Sequence, residues 1–211
     1  MSLILRHTDR VAAALATRIL HGDWPENHKF PADSDLCHEF SVSRTVIREA
    51  LRLLRGKGLI EAAPRRGTHV AARQNWALWD KDVLHWLAST TESKNKYDLS
   101  GDALDMRLAL EPTLAALAAA RADDSANTVL QNALRNMQQA GTGDSEMAYL
   151  KAFYRAAGND FAIAALPLAD FAIRKRPNGA PLEAYRRLTA AIAQKDGTAA
   201  RQAALQALLM A

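Results

Sequence analysis

Ser41-Val42-Ser43-Arg44-Thr45-Val46-Ile47-Arg48-Glu49-Ala50-Leu51-Arg52-Leu53-Leu54-Arg55-Gly56-Lys57-Gly58-Leu59-Ile60-Glu61 carries the pattern that decides the fold. Ser43 is a good helix N-cap, Glu49 and Ala50 favour helix, and Gly58 stands where a glycine can turn left-handed and end one. Arg44, Arg48, Arg52 and Arg55 recur at helical spacing on one side, while Ile47, Ala50, Leu51 and Leu54 form an adjoining apolar stripe. A helix that is basic on one face and apolar on the next can pack on a core and still present cations to a DNA groove.

The flanks extend this reading. Upstream, Pro31-Ala32-Asp33-Ser34-Asp35-Leu36-Cys37-His38-Glu39-Phe40 predicts a short helix with an acidic first turn, and Ser41-Val42 joins it to the basic helix as a helix-turn-helix. Downstream, residues 59–63 and 68–71 are strand-like runs around Pro64-Arg65-Arg66-Gly67, a hairpin with a basic tip. The result is a winged helix. Residues 1–75 hold 12 Lys+Arg against 8 Asp+Glu and residues 76–211 hold 15 of each, so the formal charge of +4 belongs entirely to the N-terminal segment. Within residues 41–73 the balance is 8 basic to 2 acidic, a clustering suited to phosphate binding.

The run Val11 to Val70 resembles the DNA-binding domain of GntR-type bacterial transcription regulators, with their V-S-R-T-x-x-R-E-A-L-R-x-L recognition helix and R-x-G-T-x-V wing. The resemblance implies DNA contacts from Arg44, Thr45 and Arg48 on the recognition helix, and from Arg65, Arg66 and Gly67 on the wing. The family commonly has arginine where this chain has Ser34, so it also implies a weakened or absent contact there.

A chain of 211 residues with 49% apolar content has room for two cores. No run approaches the ~18 apolar residues of a membrane span, and Arg6, His7, Asp9 and Arg10 interrupt the N-terminus, which argues against a signal peptide. The single Cys37 excludes an intramolecular disulfide and suits a reducing, cytoplasmic setting, where a packed thiol is expected. The polar break Arg73-Gln74-Asn75 suggests a winged helix-turn-helix over residues 1–73 and an all-helical domain over 74–211. Trp76, Trp79, Val83, Trp86 and Leu87 follow helical spacing and predict an amphipathic helix that docks on the C-terminal domain or a neighbouring subunit. Further helices are expected at about 101–122, 125–140, 145–158, 161–176, 181–193 and 198–210. The fold class is therefore mainly α.

An all-helical domain after such a reader resembles the FadR subfamily, whose FCD effector domain is a bundle of six to seven helices. Asp105-Met106-Arg107-Leu108-Ala109-Leu110-Glu111-Pro112, Leu117 to Ala122, Ala156-Ala157-Gly158-Asn159 and Ala190-Ala191-Ile192 carry that resemblance. Val70 to Trp76 and Asp80 to Trp86 resemble the linker of the galactonate-operon repressor group, which answers to sugar acids. The resemblance puts Arg107, Asn159 and Arg174 in the effector site. From the residues alone, Leu104, Arg107, Leu108 and Glu111 share one helix face, and a guanidinium there has two readings. Either Glu111, one turn on, neutralises Arg107 internally, or Arg107 grips a carboxylate ligand in a bidentate fork. Arg174 likewise is either a second anion anchor or part of a solvated helix end, Arg174-Lys175-Arg176.

Many FadR-type proteins hold a divalent ion with one Asp and three His. The matched positions here are Glu146, Leu150, Tyr185 and Ala207 or Leu208, and five of the six His lie within residues 1–75, so neither metal nor cofactor is expected. The segment between Arg176 and Pro181 is shorter than in such relatives, which points to a remodelled pocket. No G-x-S-x-G, glycine-rich phosphate loop or H-E-x-x-H occurs, and an enzyme is not expected. The expected protein is a homodimeric repressor of a sugar-acid or related carboxylate operon that reads a pseudo-palindromic double-stranded DNA operator and is released by a small acidic effector. The alternative is a DNA-binding regulator whose helical domain only dimerises and has lost effector and metal sensing.

Overall fold

The computed structural model describes residues 3–89, 99–176 and 180–210. Contacts along the chain divide it into two compact units, 1–98 and 99–211.

In the first unit α1 (Leu3–Leu20) presents Val11, Leu15, Ala16 and Ile19 to a core shared with the next helices. Helices α2 (Asp33–Phe40) and α3 (Arg44–Gly56) are joined through Ser41, whose left-handed backbone, φ 52° and ψ 47°, makes the sharp turn between them. The Ser43 side chain accepts from the Val46 N–H at 3.4 Å, so the expected N-cap is formed. Ile47, Ala50 and Leu54 are fully buried, and the arginine stripe beside them faces outward. Strands β1 (Ile60–Ala63) and β2 (Gly67–Val70) pair antiparallel with Ile60 opposite Val70 and Ala63 opposite Gly67. On the free edge of β2, Asn27, His28 and Phe30 add three backbone hydrogen bonds of 2.9–3.0 Å, to Val70 and Thr68, and so tie the loop after α1 to the wing.

The polar break at residue 73 does not end this unit. Arg73–Asn75 is a 3-10 turn, Trp76 packs inward with its indole N–H donating to the Ala71 carbonyl at 3.2 Å, and α4 (Lys81–Ala88) lies against α1. Part of the apolar face of this helix is thus spent on the reader itself. The helix is also shorter than the tryptophan spacing suggested, because Asp80 accepts from the Asp82 and Val83 N–H groups and starts it only there. Lys57, just past α3, donates to both Asp80 and Asp82 at 2.7 Å. Burial works against its charge, but the two carboxylates outweigh burial and raise its pKa.

Gly58 marks where this junction is tightest. Its φ is +70°, and a Cβ there would lie 1.9 Å from the Asn75 carbonyl oxygen. Gly58→Ala is therefore expected to cost about 2–4 kcal/mol, from left-handed backbone strain and displaced main chain. Urea unfolding of the full chain measures this, and a loss under about 0.5 kcal/mol would contradict the close approach.

The second unit contains α5 (Ser100–Arg121), α6 (Asp124–Ala140), α7 (Gly143–Ala156), α8 (Asp160–Ala164), α9 (Leu166–Lys175), α10 (Leu182–Ala193) and α11 (Gly197–Leu209). Small residues let two helices approach closely: Ala115, Ala118 and Ala119 on α5 and Ala200, Ala203, Ala204 and Ala207 on α11 are all buried where those helices pack. The single helix predicted over 161–176 is two, because the break at Ala165 precedes Pro167, whose missing N–H suits a first turn. Pro112 stands inside α5 and removes the backbone bond that its position would make.

Candidate DNA interface and effector cleft

Arg44, Thr45 and Arg48 lie together on the exposed side of the first two turns of α3. Arg48 leans back to Asp33 of α2 through its Nε at 3.3 Å, and Arg52 is paired with Glu49 through Nε and Nη2, at 3.0–3.1 and 2.6 Å. Neither pair is buried, so both can be exchanged for phosphate or base partners at small cost. Ser34 is exposed, and its hydroxyl hydrogen-bonds Asp35 at 3.3 Å, so the face of α2 next to the stripe offers no guanidinium.

At the wing tip Arg65 has φ +64° and Gly67 has φ +76°, and the Arg66 N–H closes the turn on the Ala63 carbonyl at 3.2 Å. A glycine at position 67 was legible as a turn residue, but the left-handed arginine two positions before it was not. Both guanidiniums are carried on exposed residues, Arg66 reaching the Asn27 side chain at 3.4 Å. A wing arginine that meets phosphate carries no sequence information, so Arg65→Ala is expected to weaken binding to all sequences alike and to reduce the slope of log affinity against log salt by about 1. Anisotropy titrations at several salt concentrations test this, and a loss confined to one sequence would contradict it.

In the helical unit the first of the two readings of Arg107 is what the fold builds. Arg107 is 3% and Glu111 2% exposed, and the guanidinium meets the carboxylate through Nε to Oε1 at 2.6 Å and Nη2 to Oε2 at 3.3 Å. Burial opposes the Arg107 charge, but the Glu111 carboxylate more than compensates and raises its pKa. The Tyr154 hydroxyl donates to the same Oε1 at 2.9 Å. Burial first, then the Glu111 charge, push that phenol far above its ordinary range, so it stays a donor.

A second buried couple faces the first. Glu146, 1% exposed, accepts from Arg176 Nη1 at 3.0 Å, from Arg176 Nη2, and from the Tyr185 hydroxyl at 2.8 Å. Burial and the Glu146 charge raise the Tyr185 pKa well above the ordinary value, and the charges of Arg107 and Glu111 act on the same phenol. The Tyr149 ring packs 4.7 Å from that of Tyr185. Arg176 escapes the sequence reading because it looks like the last of three solvated basic residues. In the fold it is the C-cap of α9, where an extended backbone, φ −76° and ψ 131°, takes the chain out of the helix.

Both guanidiniums line a half-open cleft of about 370 Å³ between the start of α5, the end of α9 and the end of α11. Ser100, Leu104, Ala172, Leu208 and Leu209 form its walls, and Lys175 adds a third cation. Asn159 and Arg174 are not among its lining residues. Asn159 caps α8 by accepting from the Ala162 N–H at 3.1 Å, and Arg174 pairs with Asp170, one turn back, at 3.0 Å. Segment 177–179, which includes part of the stretch read as short, lies outside the described residues. Of the positions matched to metal ligands only Glu146 is a carboxylate, and it is taken by Arg176. Among the described residues no group of three or more His, Cys, Asp or Glu is placed to hold a metal ion, and no helix is long and apolar enough to cross a membrane.

The family model described as "Bacterial regulatory proteins, gntR family" matches residues 7–70, and the FCD domain model matches residues 102–209. The chain is 33% identical to the galactonate operon transcriptional repressor of Escherichia coli (strain K12), over 96% of this chain and 94% of that protein. It is 30% identical to the Glc operon transcriptional activator of the same organism, over 67% of this chain and 53% of that protein. Among solved structures, a Streptococcus agalactiae GntR protein superposes with a TM-score of 0.52 at 24% identity, covering 96% of this chain and 98% of the other. That likeness bears on the fold alone.

Proposed function

The chain belongs to the GntR family of bacterial regulatory proteins, with an FCD domain after its reader, and from that premise we propose that it is a homodimeric cytoplasmic repressor of a sugar-acid operon. It is a DNA-binding transcription regulator and not an enzyme, as its relatives are. Arg44, Thr45 and Arg48 enter the major groove of an operator half-site, and the wing arginines hold the backbone beside it. Two copies of the reader are set roughly one DNA turn apart on a pseudo-palindrome, which is the reason for the dimer.

The observation that carries the effector half of this reading is the cleft: about 370 Å³, with Arg107, Lys175 and Arg176 and no acidic side chain among the described residues that line it. Such a lining suits a small anion with an apolar or hydroxylated body. The likeness to a galactonate operon repressor makes sugar acids the first class to try. Thermal unfolding of the full chain against a panel of aldonic and uronic acids, galactonate included, tests this. A binder at 100 times its Kd stabilises the protein by about 2.7 kcal/mol. Lys175→Ala should diminish that shift, because its cation is one of the three that line the cleft.

A second reading has its own support. Glu111 and Glu146 already neutralise both buried guanidiniums, an arrangement that would also suit a bundle that dimerises and senses nothing. No shift with any acid of the panel would favour that reading.

A further inference from the structure

The acidic position that resemblance reserves for a metal ligand is, in this fold, occupied by the protein's own groups. Glu146 is buried, both of its oxygens accept from the Arg176 guanidinium, and Oε1 also accepts from Tyr185. An ion could bind Glu146 only by displacing that fork. The remaining matched positions offer it nothing in exchange: Leu150, Ala207 and Leu208 are buried aliphatic residues, and Tyr185 spends its hydroxyl proton on Glu146. No histidine occurs in residues 99–211, so the imidazole that such ions favour is absent from the whole unit. The charge balance points the same way. Arg107 with Glu111 and Arg176 with Glu146 are two closed couples, whereas a divalent ion calls for ligands that carry uncompensated negative charge.

We propose that Arg176 is the resident cation of this bundle: its guanidinium, forked onto Glu146, stands where related folds hold a divalent metal, and the effector domain is metal-independent. The cation is covalently part of the chain, it cannot be chelated, and it keeps its charge at every physiological pH. Arg176 also lines the cleft described above. The replacement of the metal does not rest on the effector reading above.

The test uses the full chain and no effector, so its outcome is independent of whether any sugar acid binds. The thermal midpoint is measured as purified, after EDTA, and with equimolar Zn2+, Ni2+ or Mn2+. It is expected to stay within about 1 °C throughout, since an ion bound specifically to the native state would raise it. Arg176→Met and Glu146→Gln should each lower the midpoint by roughly 6–20 °C, because each strands a buried charge or its donors. The double variant should recover at least half of that loss, as Tyr185 still finds an acceptor in the amide. If Arg176→Met does not fold, Arg176→Lys, which keeps the charge without the fork, takes its place in the cycle. A midpoint that falls by several degrees in EDTA, is restored by one of the ions and no longer responds in Glu146→Gln would overturn the proposal. So would a double variant that loses as much as the two single variants together.

Discussion

Arg107→Ala is expected to destabilise the effector domain by about 3–5 kcal/mol. The substitution removes the guanidinium from a Glu111 carboxylate that is 2% exposed and leaves it the Tyr154 hydroxyl as a donor. Against a total stability of about 5–15 kcal/mol, such a loss brings the domain near unfolding at growth temperature. The charge, rather than the side-chain volume, carries most of the effect. Arg107→Met with Glu111→Gln should therefore recover most of the loss, since glutamine still accepts from Tyr154 and no ion is left unpaired. Urea unfolding of Arg107→Met, Glu111→Gln and the pair measures the coupling. An Arg107→Ala protein as stable as the wild type would show that the couple is not what holds this part of the bundle together.

The second large effect is on DNA. Arg44→Ala with Arg48→Ala should weaken a specific operator by about 2–4 kcal/mol, roughly 30- to 1000-fold, while nonspecific duplex loses far less. Arg48 contributes only after its exposed pair with Asp33 at 3.3 Å is broken, and that exchange costs little because both groups are already solvated. The stability of the protein should not change, as neither arginine touches the core of the reader. Fluorescence anisotropy on the operator and on a scrambled duplex separates the two effects. Equal binding of wild type and double variant to the operator would remove α3 as the reading element.

How far the sequence could be read depended on how local the cause was. The winged helix was legible because its signals are short-range: Ser43 as a cap, arginines four apart, Gly67 in the hairpin. The edge contributed by Asn27, His28 and Phe30 was not, because it joins segments some forty residues apart and leaves no periodic mark. The tryptophan spacing in residues 76–87 suggested a longer helix than forms, since Trp76 is buried by an irregular turn and Trp79 is 52% exposed before the Asp80 cap. In the effector domain the Arg107–Glu111 pair was one of two readings available from i, i+4 spacing. Its chemistry could be written down, but its burial could not. Arg176 lay beyond the reach of such reasoning. Successive residues at a helix end point in different directions, and only the tertiary packing that brings α7 beside α9 decides which cation turns inward to Glu146. The same packing leaves Arg174, chosen by resemblance, with Asp170 on the outer side.

In a ligand-responsive repressor the basic reader and the cationic cleft belong to one switch. Titration of the operator duplex with and without a sugar acid that raises the thermal midpoint tests this most directly. The acid is expected to weaken operator binding by about 5- to 150-fold, and operator DNA to weaken binding of the acid by the same factor. An acid that stabilises the protein yet leaves operator affinity unchanged would contradict it.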